Sequence, residues 1–135
     1  LRNAYPDTPA HIIRDAAEAL RVAHEVAAEL AKGAAERDRN RTIPEAELDL
    51  YSQSGLWGLN IPAEYGGADL SWEVIAKAIA IVSGGDPSVG QLIQNHLDFI
   101  DTVRAVGSQA QKDFFFPEIL RGLRTGNAFS EFGSK

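Results

Sequence analysis

The chain has 135 residues, no cysteine and a formal net charge of −6. That length fits one domain whose core buries about two-thirds of the unfolded surface, and 44% apolar against 24% charged residues places it among globular chains. An acidic balance without a basic block argues against a nucleic-acid binder. The missing cysteines remove disulfide frameworks and thiolate metal sites, and no apolar run reaches the roughly 20 residues that span a bilayer.

In chain order, residues 1–14 read as an extended lead, broken by Pro6 and Pro9. Asp15-Ala-Ala-Glu18 has the form of a capping box and predicts a long helix to about Arg39. Its apolar stripe is Ala16, Leu20, Ala23, Ala27, Leu30 and Ala34, small enough for a neighbouring helix to approach closely. Arg37, Arg39 and Arg41 alternate with Asp38 and Asn40 and read as its solvated end. Pro44 opens a second helix that stops at Gly55. The loop that follows is rich in large apolar groups, and Trp57, Leu59 and Ile61 are expected to point inward. Ser71 caps a third helix, about Trp72 to Ser83, apolar nearly all round and so expected to be the buried central one. Asp86 and Pro87 start a fourth helix to about Val106. Ser108-Gln-Ala-Gln111 starts a fifth, which Pro117 is expected to break. After Gly126 the alternation becomes strand-like.

The fold class is therefore all-α: a bundle of five or six helices over residues 15–126, with residues 127–135 reading as one strand. A lone strand leaves its backbone groups unpaired, so its partners are expected in further chain. The first residue is Leu1 and the chain holds no Met, so both ends read as cut.

Candidate chemistry is sparse. His11, His24 and His96 match no metal spacing, and His11 and His24 read as surface residues. His96 falls on the inward face of the fourth helix with Val89, Leu92, Ile93, Ile100 and Val103. It is either a core imidazole bonded to a carbonyl or carboxylate, or a ring lining a pocket. Asp98, Asp101 and Arg104 read as a salt-bridged solvated face rather than a catalytic carboxylate pair. Gly84-Gly85-Asp86-Pro87 lacks the Lys-Ser/Thr of a phosphate loop and reads as a helix–helix turn. Phe114-Phe115-Phe116 reads as core or subunit interface. Asn127 and Ser130, with the backbone of an extended segment, could bond a planar heterocycle; an ordinary edge strand is the alternative.

Several segments resemble the acyl-CoA dehydrogenase superfamily. Gly55-Leu-Trp-Gly-Leu-Asn-Ile-Pro-Ala-Glu-Tyr-Gly-Gly67 is similar to its "GL-G---P-EYGG" element, and Gly107-Ser-Gln-Ala-Gln-Lys112 to its "G-EEQK" element. Leu120-Arg-Gly-Leu-Arg-Thr-Gly126 with Ala128-Phe-Ser-Glu131 resembles "L--G---G-FALTE". The resemblance implies a helical N-terminal domain followed by a β domain and a C-terminal helical domain, with flavin between them. It implies that Phe129 and Ser130 contact the flavin ring, Ser130 standing where dehydrogenases usually carry Thr. The run after Glu131 is Phe-Gly-Ser-Lys, not the Pro-x-x-Gly-Ser-Asp of the dehydrogenases.

With "GQLIQNH" (Gly90 to His96), that ending looks like the monooxygenase branch of dibenzothiophene monooxygenases and sulfur acquisition oxidoreductases. The branch implies reduced FMN, oxygen activation and oxygen transfer to a sulfur centre or nearby carbon. His96 and Asn127 would then be catalytic, as neighbours of the activated oxygen or substrate. It also implies a flavin reductase as partner and a homotetramer at full length, while the missing cysteines fit a cytoplasmic location and the residues themselves point to no metal, membrane or nucleic acid. The alternatives are an FAD-dependent acyl-CoA dehydrogenase acting on the Cα–Cβ bond of a thioester, and a non-enzymatic helical interaction module.

Overall fold

A computed structural model describes residues 9–126. They form seven α-helical segments and two short 3-10 turns, with no strand among the described residues: α1 Ala16–Ala31, α2 Ala34–Asn40, α3 Glu45–Gln53, α4 Trp72–Gly85, α5 Pro87–Gly90, α6 Ile93–Val106 and α7 Gln109–Leu120. The 3-10 turns, Leu56–Gly58 and Ala63–Tyr65, lie between α3 and α4. The all-helical expectation holds for this part of the chain. The strand expected at residues 127–135 lies outside the described residues, as does most of the 1–14 lead.

Helix starts follow their caps. Asp15 Oδ1 accepts the Glu18 amide at 2.8 Å. The box is not reciprocal, because Glu18 turns its carboxylate to the Arg14 amide and to His11. Ser108 and Gln111 form the full reciprocal box at α7. Ser71 occupies the cap position of α4 without a side-chain bond. The end of α7 is a Schellman motif. Gly122 takes a left-handed φ of 108°, its amide reaches the Ile119 carbonyl, and Leu123 N–H reaches that of Glu118.

Three helix boundaries differ from the sequence pattern. The long first helix breaks at Lys32–Gly33, where Gly33 is left-handed. The Arg37 guanidinium folds back onto the carbonyls of Leu30 and Lys32 that the break exposes. The fourth helix divides at Gln91–Leu92. A Cβ on Gly90 would stand 2.4 Å from the Ser83 hydroxyl, so α5 is pressed against α4 before the chain turns, and Leu92 is left 42% exposed rather than inward. Pro117 does not break α7, which runs on to Leu120. A proline there removes one backbone donor, while Phe116 and Ile119 on either side remain buried and hold the helix to the core.

α1 packs along α4 as the main contact of the bundle. The buried stripe of α1 is Ala19, Val22, Ala23, Val26 and Leu30, rotated from the predicted one and sharing only Ala23 and Leu30 with it. At the crossing, a Cβ on Gly85 would meet the Ala27 carbonyl oxygen at 2.3 Å, so the backbones nearly touch. α4 is not buried all round: Ile75, Ala78 and Val82 face inward, whereas Ala76 and Ala80 are exposed. The 3-10 loop closes the other side, with Trp57, Leu59 and Ile61 buried as predicted and Leu56 buried beside them. Tyr65 stands edge-on to Phe116, with ring centres 4.9 Å apart.

Candidate functional site

The site is built where the 3-10 loop, α6 and the end of the described chain meet. Trp57 is held by Tyr51, edge-on at 5.7 Å, and tilts against the His96 ring at 4.7 Å. His96 comes from the buried face of α6 with Ile93, Leu97, Ile100 and Val103, and none of its surface reaches solvent.

Both imidazole nitrogens are engaged. Nε2 lies 2.9 Å from the Trp57 carbonyl, which can only accept, so Nε2 carries the proton. Nδ1 lies 3.1 Å from the Thr125 amide, which can only donate, so Nδ1 is the acceptor. The Thr125 hydroxyl, 2.9 Å from Nδ1, donates to the same atom. One neutral tautomer satisfies all three contacts. Burial pushes the His96 pKa down from 6.5 to about 4, against a smaller opposing pull from the Trp57 carbonyl. The imidazole is therefore uncharged at neutral pH. The indole N–H of Trp57 is buried without an acceptor among the described residues.

The other predicted groups separate. His11 and His24 are exposed, and His11 bonds Glu18. Asp98 is exposed. Asp101 accepts from Trp72 Nε1 at 2.9 Å and Asn60 Nδ2 at 2.8 Å, while Arg104 pairs with Asp69 instead. This corrects the expected Asp98–Asp101–Arg104 face: Asp101 braces α4 and the 3-10 loop. Arg37 is likewise no solvated end. Its side chain is 13% exposed and pairs with Glu47 and with the buried Asp86, both at 2.9 Å. No cluster of three metal-ligating side chains occurs among the described residues, and none of their helices is long and apolar enough to cross a membrane. Of the phenylalanine run, Phe116 is core and Phe114 is 57% exposed.

Asn127, Phe129 and Ser130 lie outside the described residues. The chain reaches them from Thr125, on the His96 ring. Thr125 was not anticipated, because nothing in the local pattern signals a contact spanning 29 residues. Two grooves among the described residues, about 600 Å³ beside Arg41 and about 440 Å³ between α1 and α3, are lined by neither His96 nor Thr125.

Residues 13–123 match the family described as acyl-CoA dehydrogenase, N-terminal domain. The chain is 34% identical over 124 residues to a dibenzothiophene monooxygenase of Rhodococcus erythropolis, covering 90% of this chain and 30% of that protein. It is 32% identical to the probable FMNH2-dependent monooxygenase SfnC of Pseudomonas putida, over 84% of this chain and 31% of that one. It is 29% identical to the pig mitochondrial short-chain specific acyl-CoA dehydrogenase, over 78% and 26%. The crystal structure of FMN-bound TdsC from Paenibacillus superposes with a TM-score of 0.68 at 35% identity, covering 76% of this chain and 26% of that chain. The chain thus spans less than a third of the length of these relatives.

Proposed function

Because this chain belongs to the acyl-CoA dehydrogenase family, we propose that it is the N-terminal part of a flavin-dependent monooxygenase. The full protein would use reduced FMN and oxygen on an organosulfur or related small apolar substrate. The observation that carries this reading is the likeness to FMN-bound TdsC at 35% identity over three-quarters of the chain. Identity to the dehydrogenase relative is lower and covers less of the chain.

In this reading the helical bundle would back one wall of a flavin cleft. Trp57 and the neutral His96 are buried within that bundle, and the indole N–H has no acceptor among the described residues. Phe129 and Ser130, four and five residues beyond Thr125, would hold the flavin ring, the Ser130 hydroxyl through a hydrogen bond. Asn127 would face the substrate or activated oxygen. Bound reduced flavin supplies the electrons for oxygen activation. What this chain does is exclude water from one side and aim the residues after Gly126. His96, with both nitrogens committed, would act in this reading by holding Thr125 rather than by moving a proton.

In this reading residues 15–126 form the helical domain, residues 1–14 lead into it and residues 127–135 open the middle β domain. The full protein would be a cytoplasmic homotetramer served by a separate flavin reductase.

The test is oxygen uptake by the full-length protein with reduced FMN and dibenzothiophene. Substrate-dependent uptake with an oxygenated product is expected. Reduction of a tightly bound FAD by an acyl-CoA, without oxygenation, would establish the dehydrogenase instead.

A further inference from the structure

Past the Schellman turn at Gly122 the chain runs from Leu123 to Gly126 without regular structure. Leu123 packs against the core, and two polar side chains add further ties to the bundle. Arg124 Nη1 reaches Asp49 at 2.9 Å, a contact exposed to solvent. Thr125 is half-buried, with its amide and its hydroxyl both on His96 Nδ1. The same ring donates through Nε2 to the Trp57 carbonyl on the 3-10 loop. His96 thus joins the loop that follows α3 to the point where the chain leaves α7. A backbone amide that would otherwise lack a helix or sheet partner is satisfied by a buried imidazole.

We propose that His96 and Thr125 form a positioning latch that sets the direction and register in which the chain leaves the bundle after Gly126. The inference rests on the proposed flavin site only for its consequence: the residues the latch aims, Asn127 to Ser130, are those assigned to flavin and substrate. The arrangement of the latch stands on the contacts themselves. One carbonyl and one amide at fixed places demand a ring with a donor on one side and an acceptor on the other. A neutral histidine in a single tautomer provides that. The Thr hydroxyl supplies the second bond, which makes Thr125 and not the backbone alone the specific partner.

Hydrogen–deuterium exchange of the full-length protein tests the latch without reference to flavin. Thr125→Val keeps the shape of the side chain and removes the hydroxyl. Loss of one net hydrogen bond predicts roughly fivefold faster exchange in the peptide spanning residues 123–130, with helix content unchanged. Thr125→Ser should restore the parent rate to within about twofold. His96→Asn can place an amide oxygen near the Nδ1 position, and His96→Gln can keep only the Nε2-like donor, so the Asn variant should protect that peptide better. A Thr125→Val protein that exchanges at the parent rate overturns the latch. So does faster exchange that the Ser variant fails to restore. FMN titration is the second readout, where Thr125→Val should weaken binding by roughly fivefold. If the parent protein binds no flavin, the proposed function fails while the exchange result still decides the latch.

Discussion

Two buried polar residues carry consequences that can be measured one side chain at a time. His96 is neutral in the folded protein down to about pH 4, whereas an unfolded chain protonates it near 6.5. Between those values the unfolded state binds more protons, so the contribution of His96 is complete above about pH 6.5 and is lost as pH falls toward 4. The shift corresponds to at most roughly 3 kcal/mol. Urea midpoints measured at pH 7 and pH 5 should fall with acid in the parent and fall less in His96→Asn. Arg37 presents the opposite case, a charge kept buried by its partners. Arg37→Ala leaves Asp86, itself 5% exposed, without its cation and strips two carbonyl contacts from the end of α1. A loss of about 3 kcal/mol is expected in the same denaturation experiment, and Arg37→Lys should recover only part of it, because one ammonium cannot reproduce the forked contacts.

At the level of elements, the α1–α4 crossing is set by adjacent glycines that behave differently. A Cβ on Gly85 collides with the backbone of Ala27, whereas one on Gly84 meets nothing within 4 Å. Gly85→Ala should therefore force the helices apart and cost several kcal/mol, on the order of an overpacked core site. Gly84→Ala, one residue earlier in the same helix, should be neutral or stabilising by about 0.5–1 kcal/mol. Thermal midpoints of the two variants separate close packing from helix propensity. At α7 the reciprocal box predicts that Ser108→Ala costs about 1 kcal/mol, read as a lower urea midpoint. The proline inside that helix carries a lesson about competing terms. One missing backbone bond did not outweigh the burial of Phe116 and Ile119.

For the whole molecule, the proposed cleft needs walls that these 135 residues do not supply. The chain produced alone should show strong helical circular dichroism. It should show no substrate-dependent oxygen uptake with reduced FMN, because in the proposed reading most of the flavin site would belong to the remaining two-thirds of such an enzyme. Turnover by the isolated chain would remove the cleft model.

Helix content, most of the capping and the inward turn of Trp57, Leu59 and Ile61 were legible from the sequence by itself. These features depend on neighbours three or four positions away, where periodicity and cap chemistry act. The family segments were legible for the same reason, since each is a short run of residues. Only the tertiary structure decided which face of α1 is buried, that Arg37 turns inward, that Asp101 rather than Arg104 braces the loop, and that His96 is clasped by Thr125. Each of those depends on groups that are distant along the chain and come into reach only when the bundle packs, as when Thr125 returns to α6. Burial and hydrogen-bond satisfaction at such meetings are properties of the packed whole, and no local pattern encodes them.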